Sequence, residues 1–345
     1  MGKEKAVVVR QFNKDNPAEA LDVVKRDVPE PKAGEALVRV LMRPINPSDI
    51  FCIQGIYGGW HPKLPAIPGL EGLGVIEKIG PQPTPPSTET ARKLKEGQRV
   101  VAVPWPSAEG EGTWQQYVAV PIENLVPVRD EVSNEDAAQY LVNPVTALGF
   151  FEDLKIPKCK YLLQNAANSV LGKEVILLAK KRGVKTINVV RRDEVINELK
   201  SIGADEVINS KTENIVARVK EITGNEGAWA AINPIGGPAS RPFFSAVRNS
   251  GLVYIYSMYG DEVYVPIADL LWRDVTVRGF WLNVWLSRLP KDVKEQKLQE
   301  VMDLMADGII KPPPARAKYP LDDVKKAVED AQSKSGSAGK VLLEG

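Results

Sequence analysis

Residues 161–180, YLLQNAANSVLGKEVILLAK, decide the fold of this chain. A short apolar run from Tyr161 to Leu163 is followed by a small polar turn, and apolar residues then recur at helical spacing. The order of strand, tight turn and helix is how a dinucleotide-binding unit begins. Ser169 or Asn168 can cap the helix, whose free N–H groups would then face a pyrophosphate.

The glycine fingerprint typical of such a turn is incomplete, because asparagine and alanine occupy most of its positions and Gly172 is the glycine that remains. Asn and Ala are small enough for close backbone approach, and Asn tolerates left-handed geometry. Taken alone, the turn could equally open a helix of any α/β protein. Candidate cofactor contacts at this turn are Asn168, Ser169, Val170 and Gly172.

Strands and helices alternate downstream of this turn. The residue pattern predicts further strands at 186–190, 206–208, 229–232, 251–256 and 275–277, and helices at 194–202 and 215–222. Such alternation predicts a parallel, doubly wound sheet that binds ligands at the carboxyl ends of its strands. Gly236, after the fourth strand, is expected to let the backbone approach a cofactor closely.

The end of the second strand indicates which dinucleotide binds. An NAD enzyme usually places Asp or Glu there to bind the ribose 2′-hydroxyl. This chain has Arg191 and Arg192 instead, about twenty residues beyond the turn. A guanidinium fork suits a 2′-phosphate, so the pair predicts NADPH as the cofactor. A solvated arginine pair at a helix start is the alternative.

Composition excludes several functional classes. A chain of 345 residues is long enough for two domains, and its 43% hydrophobic and 26% charged residues are ordinary for a globular protein. The formal net charge of +1 argues against nucleic acid or an anionic membrane as partner. Two cysteines, Cys52 and Cys159, suggest a reducing compartment. We expect a protein without membrane spans, signal peptide or transit peptide in this sequence.

The flanking sequence predicts the domain organisation. Strand-like runs in residues 6–43, 74–79, 98–103 and 117–120 indicate a β-rich N-terminal domain, and residues 340–343 indicate a strand that returns to it. We therefore expect a catalytic domain of residues 1–130 and 310–345, with a nucleotide domain of residues 131–309 inserted and a cleft between them. The polar, proline-rich residues 81–95 are expected to form an exposed excursion.

The order of motifs resembles the medium-chain dehydrogenase/reductase superfamily over nearly the whole chain. Pro68-Gly-Leu-Glu-Gly72 is similar to the superfamily's P-G-H-E-G segment, and Asn46-Pro-Ser-Asp49 lies where its C-x-x-D segment would be. The resemblance implies a Rossmann-type sheet inserted in a GroES-like catalytic domain. Zinc members carry Cys and His at the positions of Asn46 and Leu70, neither of which replaces a thiolate or an imidazole. The chain is therefore expected to be zinc-free.

Finer motifs resemble one zinc-free family, the mitochondrial trans-2-enoyl-CoA/acyl-carrier-protein reductases. They include Asn46-Pro-Ser-Asp-Ile50, Gln54-Gly-Ile-Tyr57, Val142-Asn-Pro-Val-Thr146, Gln164-Asn-Ala-Ala-Asn-Ser169 and Arg278-Gly-Phe-Trp-Leu282. The resemblance implies reduction of 2-enoyl thioesters with NADPH during fatty-acid synthesis. It also implies a homodimer in the mitochondrial matrix, with the cytoplasm as the alternative, and coenzyme A or an acyl-carrier protein as the acyl carrier.

The family's catalytic tyrosine corresponds to Tyr57. Hydride addition to Cβ of an unsaturated thioester leaves an enolate, and a phenol with an ordinary pKa of about 10 can donate a hydrogen bond or a proton to it. The alternative is that Tyr57 is an aromatic wall residue. By the same resemblance Asn143 and Thr146 lie near the nicotinamide, although a helix start with a local cap would also explain them.

Aromatic residues follow the sixth predicted strand. Phe280 and Trp281 are candidate cofactor contacts, and Trp281, Trp285 and Asn46 are candidate residues of the acyl pocket. Packing in the core or at a dimer interface would explain the aromatic residues equally well. Basic residues around Arg43, Arg288, Lys291 and Lys294 could dock an acidic carrier protein or be ordinary surface charge.

Two other functions remain open from the sequence. An NADPH:quinone or small-enone reductase needs the same cofactor fold and a similar cleft. A protein without catalytic activity that binds NADPH and acts as a regulator or nucleic-acid partner is the alternative of another class. No concentrated basic stripe supports that second alternative.

Overall fold

The computed structural model describes residues 2–81, 94–333 and 339–345. The chain forms two compact units, the first comprising residues 1–143 and 298–345 and the second residues 144–297. The sequence places these boundaries at 130/131 and 309/310 instead. Most of the predicted proline-rich excursion at 81–95 lies outside the described residues. Among the described helices, none combines the length and apolarity needed to cross a lipid bilayer.

Specific contacts explain why the first unit extends beyond the predicted boundaries. The Glu71 carboxylate accepts hydrogen bonds from the backbone N–H groups of Leu141 (2.9 Å) and Val142 (2.8 Å). The Tyr140 hydroxyl donates to the Leu298 carbonyl at 2.6 Å. These bonds hold segments on both sides of the second unit to the first, and no sequence pattern indicates them.

The strands of the described ranges follow in chain order. They are β1 (Lys3–Val9), β2 (Leu21–Asp27), β3 (Glu35–Pro44), β4 (Leu73–Ile79), β5 (Arg99–Ala102), β6 (Tyr117–Pro121), β7 (Leu125–Pro127), β8 (Tyr161–Gln164), β9 (Lys185–Val190), β10 (Glu206–Asn209), β11 (Ala228–Gly237), β12 (Val247–Val263), β13 (Thr276–Gly279), β14 (Ala317–Pro320) and β15 (Val341–Glu344).

The α-helices are α1 (Pro47–Gln54), α2 (Asn134–Ala138), α3 (Thr146–Leu154), α4 (Val170–Arg182), α5 (Ile196–Ile202), α6 (Ile215–Ile222), α7 (Arg241–Ala246), α8 (Ile267–Leu271), α9 (Leu282–Arg288), α10 (Lys291–Ala306) and α11 (Val324–Ser333). A π-helical turn, Leu141–Val145, precedes α3. Helices α4, α5 and α6 lie where the apolar spacing predicts them.

The first unit is β-rich, as the sequence predicts. Its seven-stranded sheet has the order β14-β15-β3-β4-β5-β7, with β6 on β3, while β1 and β2 form an antiparallel pair. The C-terminal strand β15 pairs antiparallel with β3, so that Leu342 lies opposite Pro44. This pairing brings the segment just before β15 next to the start of α1, about 300 residues earlier in the chain.

The second unit is a six-stranded parallel sheet with the order β10-β9-β8-β11-β12-β13. Numbered within the unit, this is the 3-2-1-4-5-6 order of a dinucleotide-binding fold, and strand order reverses between β8 and β11. The core under the sheet is apolar, with Ile187, Ala231 and Phe244 fully buried. The predicted doubly wound parallel sheet is confirmed.

Candidate functional site

The turn after β8 is held by asparagine side chains at the point where strand order reverses. The Asn165 amide nitrogen donates to the side-chain oxygen of Asn233, within β11, at 2.9 Å. The Asn165 side-chain oxygen accepts from the N–H of Ala166 at 2.8 Å. Ala166 has φ = 52°, a left-handed conformation that a small residue tolerates best. Hydrogen bonds of the Asn165 side-chain amide therefore hold the conformation of a turn in which glycines are usual.

Helix α4 starts directly after this turn. The Ser169 hydroxyl accepts from the N–H of Gly172 at 3.1 Å, so Ser169 rather than Asn168 is the cap. A Cβ on Gly172 would lie 2.4 Å from the carbonyl oxygen of Ala167, so only glycine permits this close approach. The side-chain oxygen of Asn168 is buried without a hydrogen-bond partner among the described residues. The free backbone N–H groups at the start of α4 and the close approach at Gly172 fit a bound phosphate group.

Cations follow the carboxyl ends of two neighbouring strands in the second unit. Arg191 and Arg192 are exposed directly after β9, and the Arg191 guanidinium makes no hydrogen bond or ion pair within the described ranges. Asn209 lies opposite Val190 in the β10–β9 pair, so Ser210 and Lys211 continue at the same edge. Lys211 is exposed, and no local sequence pattern singles it out, because its place depends on the register of the β10–β9 pair.

The structure changes the interpretation of Gly236. Strand β11 runs through Gly237, so Gly236 lies within a strand and not after it. A Cβ on Gly236 would lie 2.6 Å from the carbonyl oxygen of Glu262 in β12. The close approach is therefore to a neighbouring strand, and the cofactor role of this glycine stays a prediction.

The aromatic residues after β13 have different environments. Phe280 is 6% exposed, its ring centre is 4.7 Å from that of Phe150, and it packs against Trp285, which is 8% exposed. Gly149 makes room for both rings, since a Cβ there would lie 2.7 Å from Phe280. Phe280 and Trp285 thus pack in the core, and their cofactor and pocket roles stay predictions. Trp281 is 39% exposed and remains a candidate contact.

Asn143 and Thr146 flank the boundary between the two units. Asn143 lies in the π-helical turn, and Thr146 is the first residue of α3. The N-cap of α3 is Val145, without a side-chain cap bond, so neither residue serves as a local cap. Their side chains make no hydrogen bond within the described part of the chain. Asn143 is half-buried, Thr146 is 8% exposed, and both stay candidate contacts, since π-helical turns are frequent at functional sites.

Tyr57 lies just beyond the C-terminus of α1 in the first unit. Gly55 ends the helix in a left-handed conformation (φ = 74°), and the N–H of Tyr57 then donates to the Phe51 carbonyl at 3.2 Å. The Tyr57 ring is half-buried and packs against the apolar core of the unit. The residue is thus held to the end of a helix that the sequence analysis did not predict.

A buried polar cluster anchors the other end of α1. The Asn46 amide nitrogen donates to Glu71 at 2.8 Å, and the Lys340 ammonium donates to Asn46 at 2.5 Å and to Glu71 at 3.1 Å. Asn46 is 1% exposed and both ends of its amide are used. In the structure its amide serves this internal cluster, and its role in the substrate pocket stays a prediction. Lys340 was missed because nearly 300 residues separate it from Asn46.

Asp49 belongs to the same buried region. Its carboxylate accepts from the N–H of Asn46 at 2.7 Å and from the N–H of Leu70 at 3.0 Å. Burial raises the pKa of Asp49 to about 7, and the negative charge of Glu71 adds to this effect. The lysine ammonium and these two carboxyl groups surround the positions where zinc members of the superfamily carry ligands.

Metal ligands do not converge anywhere in the described ranges 2–81, 94–333 and 339–345: no three His, Cys, Asp or Glu side chains form a group that could hold an ion. Arg43, predicted as a possible docking cation, is fully buried, and its guanidinium donates to the carbonyls of Thr113 (3.0 Å) and Gln115 (2.6 Å). It is a structural residue of the sheet and is unavailable to a carrier protein.

Family comparisons match both units. Residues 32–130 match the alcohol dehydrogenase GroES-like domain, and residues 170–307 match the zinc-binding dehydrogenase family. A Bacillus thuringiensis protein provisionally named an NADPH:quinone reductase has a similar structure (TM-score 0.89, 30% identity, all of both chains covered). So does Escherichia coli quinone oxidoreductase, solved with NADPH (TM-score 0.83, 23% identity, 99% of this chain and 100% of that one).

Curated relatives point to a narrower family. The mitochondrial enoyl-acyl-carrier-protein reductase of Caenorhabditis elegans is 34% identical over 95% of this chain and 92% of its own. The protein of the same name from Arabidopsis thaliana is 31% identical over 98% of this chain and 88% of its own. The chain is an oxidoreductase of the medium-chain dehydrogenase/reductase superfamily and belongs to the family of the enoyl-acyl-carrier-protein reductases.

Proposed function

We propose that this protein reduces trans-2-enoyl thioesters, carried on coenzyme A or an acyl-carrier protein, to saturated acyl thioesters with NADPH. The names of the curated relatives support this activity. The observation that carries the proposal is the placement of Tyr57, which Gly55 and the Phe51 carbonyl hold at the end of α1. This arrangement presents a phenol in a unit where the described residues hold no metal-binding group.

Most of the residues proposed to hold the cofactor follow the carboxyl ends of strands in the second unit. The first turn of α4, with Ser169, Val170 and Gly172, would hold the pyrophosphate through backbone N–H groups. Arg191 and Arg192 would bind the 2′-phosphate, with Lys211 as a third cation. Trp281 is 39% exposed and would contact the nicotinamide end. Asn143 and Thr146 would offer it polar contacts.

The chemistry requires two additions across the C2=C3 double bond of the substrate. Bound NADPH supplies the hydride that adds to Cβ. The charge that develops on the thioester oxygen needs a hydrogen-bond donor. The Tyr57 hydroxyl would donate a hydrogen bond to that oxygen, or would transfer its proton to Cα. Losing one such donor typically lowers the rate by about a hundredfold or more.

The test compares wild type with a Tyr57→Phe variant on crotonyl-CoA. We expect kcat to fall by about a hundredfold while NADPH affinity, measured by fluorescence titration, stays unchanged. Unimpaired turnover by the variant would refute the role of Tyr57. Loss of NADPH preference over NADH in an Arg191→Ala/Arg192→Ala variant would support the cofactor site, and an unchanged preference would refute it.

Reduction of quinones or small enones is the second candidate. The resemblance to the Bacillus thuringiensis structure, at 30% identity, favours it. Specificity constants on crotonyl-CoA and on a 1,4-quinone separate the two activities, and a higher value on the quinone would overturn our first proposal. Absence of turnover on both substrates, with NADPH binding intact, would favour a regulator without catalytic activity.

Assembly and location remain proposals. We propose a homodimer formed through the β13 side of the second unit, because α8 and its flank expose Ile267 (72%), Leu271 (72%) and Trp272 (83%) there. Light scattering should give a mass twice that of the chain. The Trp272→Glu variant should have a lower measured mass, closer to that of the monomer. A mitochondrial matrix location rests on the names of the relatives. Activity abolished by a chelator and restored by zinc would refute a zinc-free enzyme.

A further inference from the structure

Glu71 joins two segments of the first unit through a single carboxylate. One oxygen accepts from the Asn46 amide (2.8 Å) and the Lys340 ammonium (3.1 Å). The other accepts from the backbone N–H groups of Leu141 (2.9 Å) and Val142 (2.8 Å). The residue is 1% exposed, so water does not replace these four donors. Each oxygen therefore restrains a different part of the chain.

The two segments lead to the residues proposed to carry the reaction. Asn46 directly precedes α1, whose eight residues end at Gln54. Gly55 caps the helix, and Tyr57 follows two residues later. Leu141 and Val142 directly precede Asn143. A shift at either side of the Glu71 carboxylate would move one segment against the other. Catalytic geometry is sensitive to such shifts, because a misplacement of about 1 Å can cost a hundredfold in rate.

Lys340 completes the set of donors around this carboxylate. A hydrogen bond between an ammonium and a carboxylate is stronger than one between neutral groups. The Lys340 side chain is 7% exposed and reaches both Glu71 and Asn46, so its charge lies within the cluster. The pairing of β15 with β3 brings Lys340 to this position from the end of the chain.

We propose that Glu71, paired with Lys340, is a positioning residue that sets the place of the Tyr57 hydroxyl relative to the segment carrying Asn143. The proposal rests on the proposed function of Tyr57. It adds that catalysis depends on a buried ion pair that touches neither substrate nor cofactor. Glu71 then acts through Tyr57, and its effect on the rate disappears when the Tyr57 hydroxyl is absent.

A double-mutant cycle tests this dependence. Glu71→Gln keeps the shape of the side chain but replaces one carboxylate oxygen with an amide NH₂. This NH₂ cannot accept the hydrogen bonds that the surrounding N–H groups donate. We expect its kcat on crotonyl-CoA to fall about tenfold to a hundredfold, since a misplacement of this kind is costly, while KM and NADPH affinity change less than threefold. In a Tyr57→Phe background the same change should lower kcat by less than about threefold, because coupled residues are not additive.

Lys340→Met should reproduce the loss of Glu71→Gln. The matched control is Lys318→Met, which removes a lysine that pairs with Glu135 at 2.9 Å on the surface of the same unit. Its kcat should equal that of wild type, since exposed pairs contribute little. If Glu71→Gln does not fold, Asn46→Ala, which leaves the Glu71–Lys340 pair in place, enters the cycle instead.

Amide hydrogen exchange gives a readout apart from activity. Exchange at Tyr57 and Asn143 should become faster together in Glu71→Gln and Lys340→Met, but not in Lys318→Met. Additive losses in the cycle, or wild-type kcat and exchange in a folded Glu71→Gln protein, would overturn the positioning role alone. Full turnover by Tyr57→Phe would instead refute the proposed function, whatever the exchange of the Glu71 variant shows.

Discussion

Gly172→Ala tests whether the turn of the second unit needs close approach at the start of α4. An alanine Cβ at this position would lie 2.4 Å from the Ala167 carbonyl oxygen and 2.7 Å from its carbonyl carbon. This is about 1 Å short of van der Waals contact, for which ordinary non-bonded separations are about 3.5 Å. The obstructing atoms belong to the backbone, so no side-chain rotation relieves the overlap.

Two effects of opposite sign compete in this variant. Alanine in place of glycine stabilises a helix by about 0.5–1 kcal/mol. Overpacking against a rigid neighbour costs about 1–3 kcal/mol. We therefore expect a net loss of about 1–2 kcal/mol, which lowers the Tm of a domain of this size by roughly 2–8 °C. NADPH affinity should also fall by about tenfold, because the helix N-terminus withdraws from the pyrophosphate.

Thermal unfolding and fluorescence titration of NADPH measure both effects. Gly279→Ala is the matched control in the same unit, because a Cβ there would have no neighbour within 4 Å. Its Tm should stay within about 2 °C of wild type, as expected for surface substitutions. A Gly172→Ala protein with a raised Tm and unchanged NADPH affinity would show that helix propensity dominates, and would refute the argument from close approach.

Three further predictions concern packing, cofactor choice and pH. Phe280→Ala should destabilise the protein by about 3–5 kcal/mol, whereas Trp281→Ala should leave the Tm nearly unchanged; equal Tm losses would contradict the assignment of Phe280 to the core. Lys211→Ala should weaken NADPH binding about fivefold to tenfold without changing NADH binding, since one charge-assisted bond is lost; equal weakening of both would place Lys211 away from the 2′-phosphate. Burial raises the pKa of Glu4 to about 7, as it does for Asp49. Between about pH 4.5 and pH 7 the folded protein therefore binds more protons than the unfolded chain, and its free energy of unfolding falls as the pH rises. Glu4→Gln should flatten this decline in denaturation measured across that range, and a decline as steep as in wild type would exclude Glu4 as its cause.

Local patterns were sufficient to predict much of the second unit. Helix α6 spans residues 215–222 as the apolar spacing indicates, and Gly203 ends α5 in a left-handed conformation. Strand and helix alternation also predicted the parallel sheet, because each crossover helix must bury one apolar stripe against it. The family followed from short motifs, and the curated relatives support it.

Long-range contacts decided the rest. Phe280 and Trp281 are adjacent in sequence, yet one is buried against Phe150 and the other is exposed, and periodicity cannot separate neighbours at the end of a strand. Position 236 requires glycine because the β12 backbone passes close to it. That close approach depends on the register between β11 and β12. The roles of Tyr57, Asn143 and the other cofactor residues remain predictions, because they concern ligands.

By itself the sequence determined the fold class, the family and the strand ends at which a cofactor can bind, since these depend on patterns within about thirty residues. The tertiary structure alone brought Lys340 to Asn46 and Glu71. That contact depends on β15 pairing with β3, and the free energy of such pairing comes from side chains far apart in the chain. A buried charge becomes stable only when the whole fold delivers its partner.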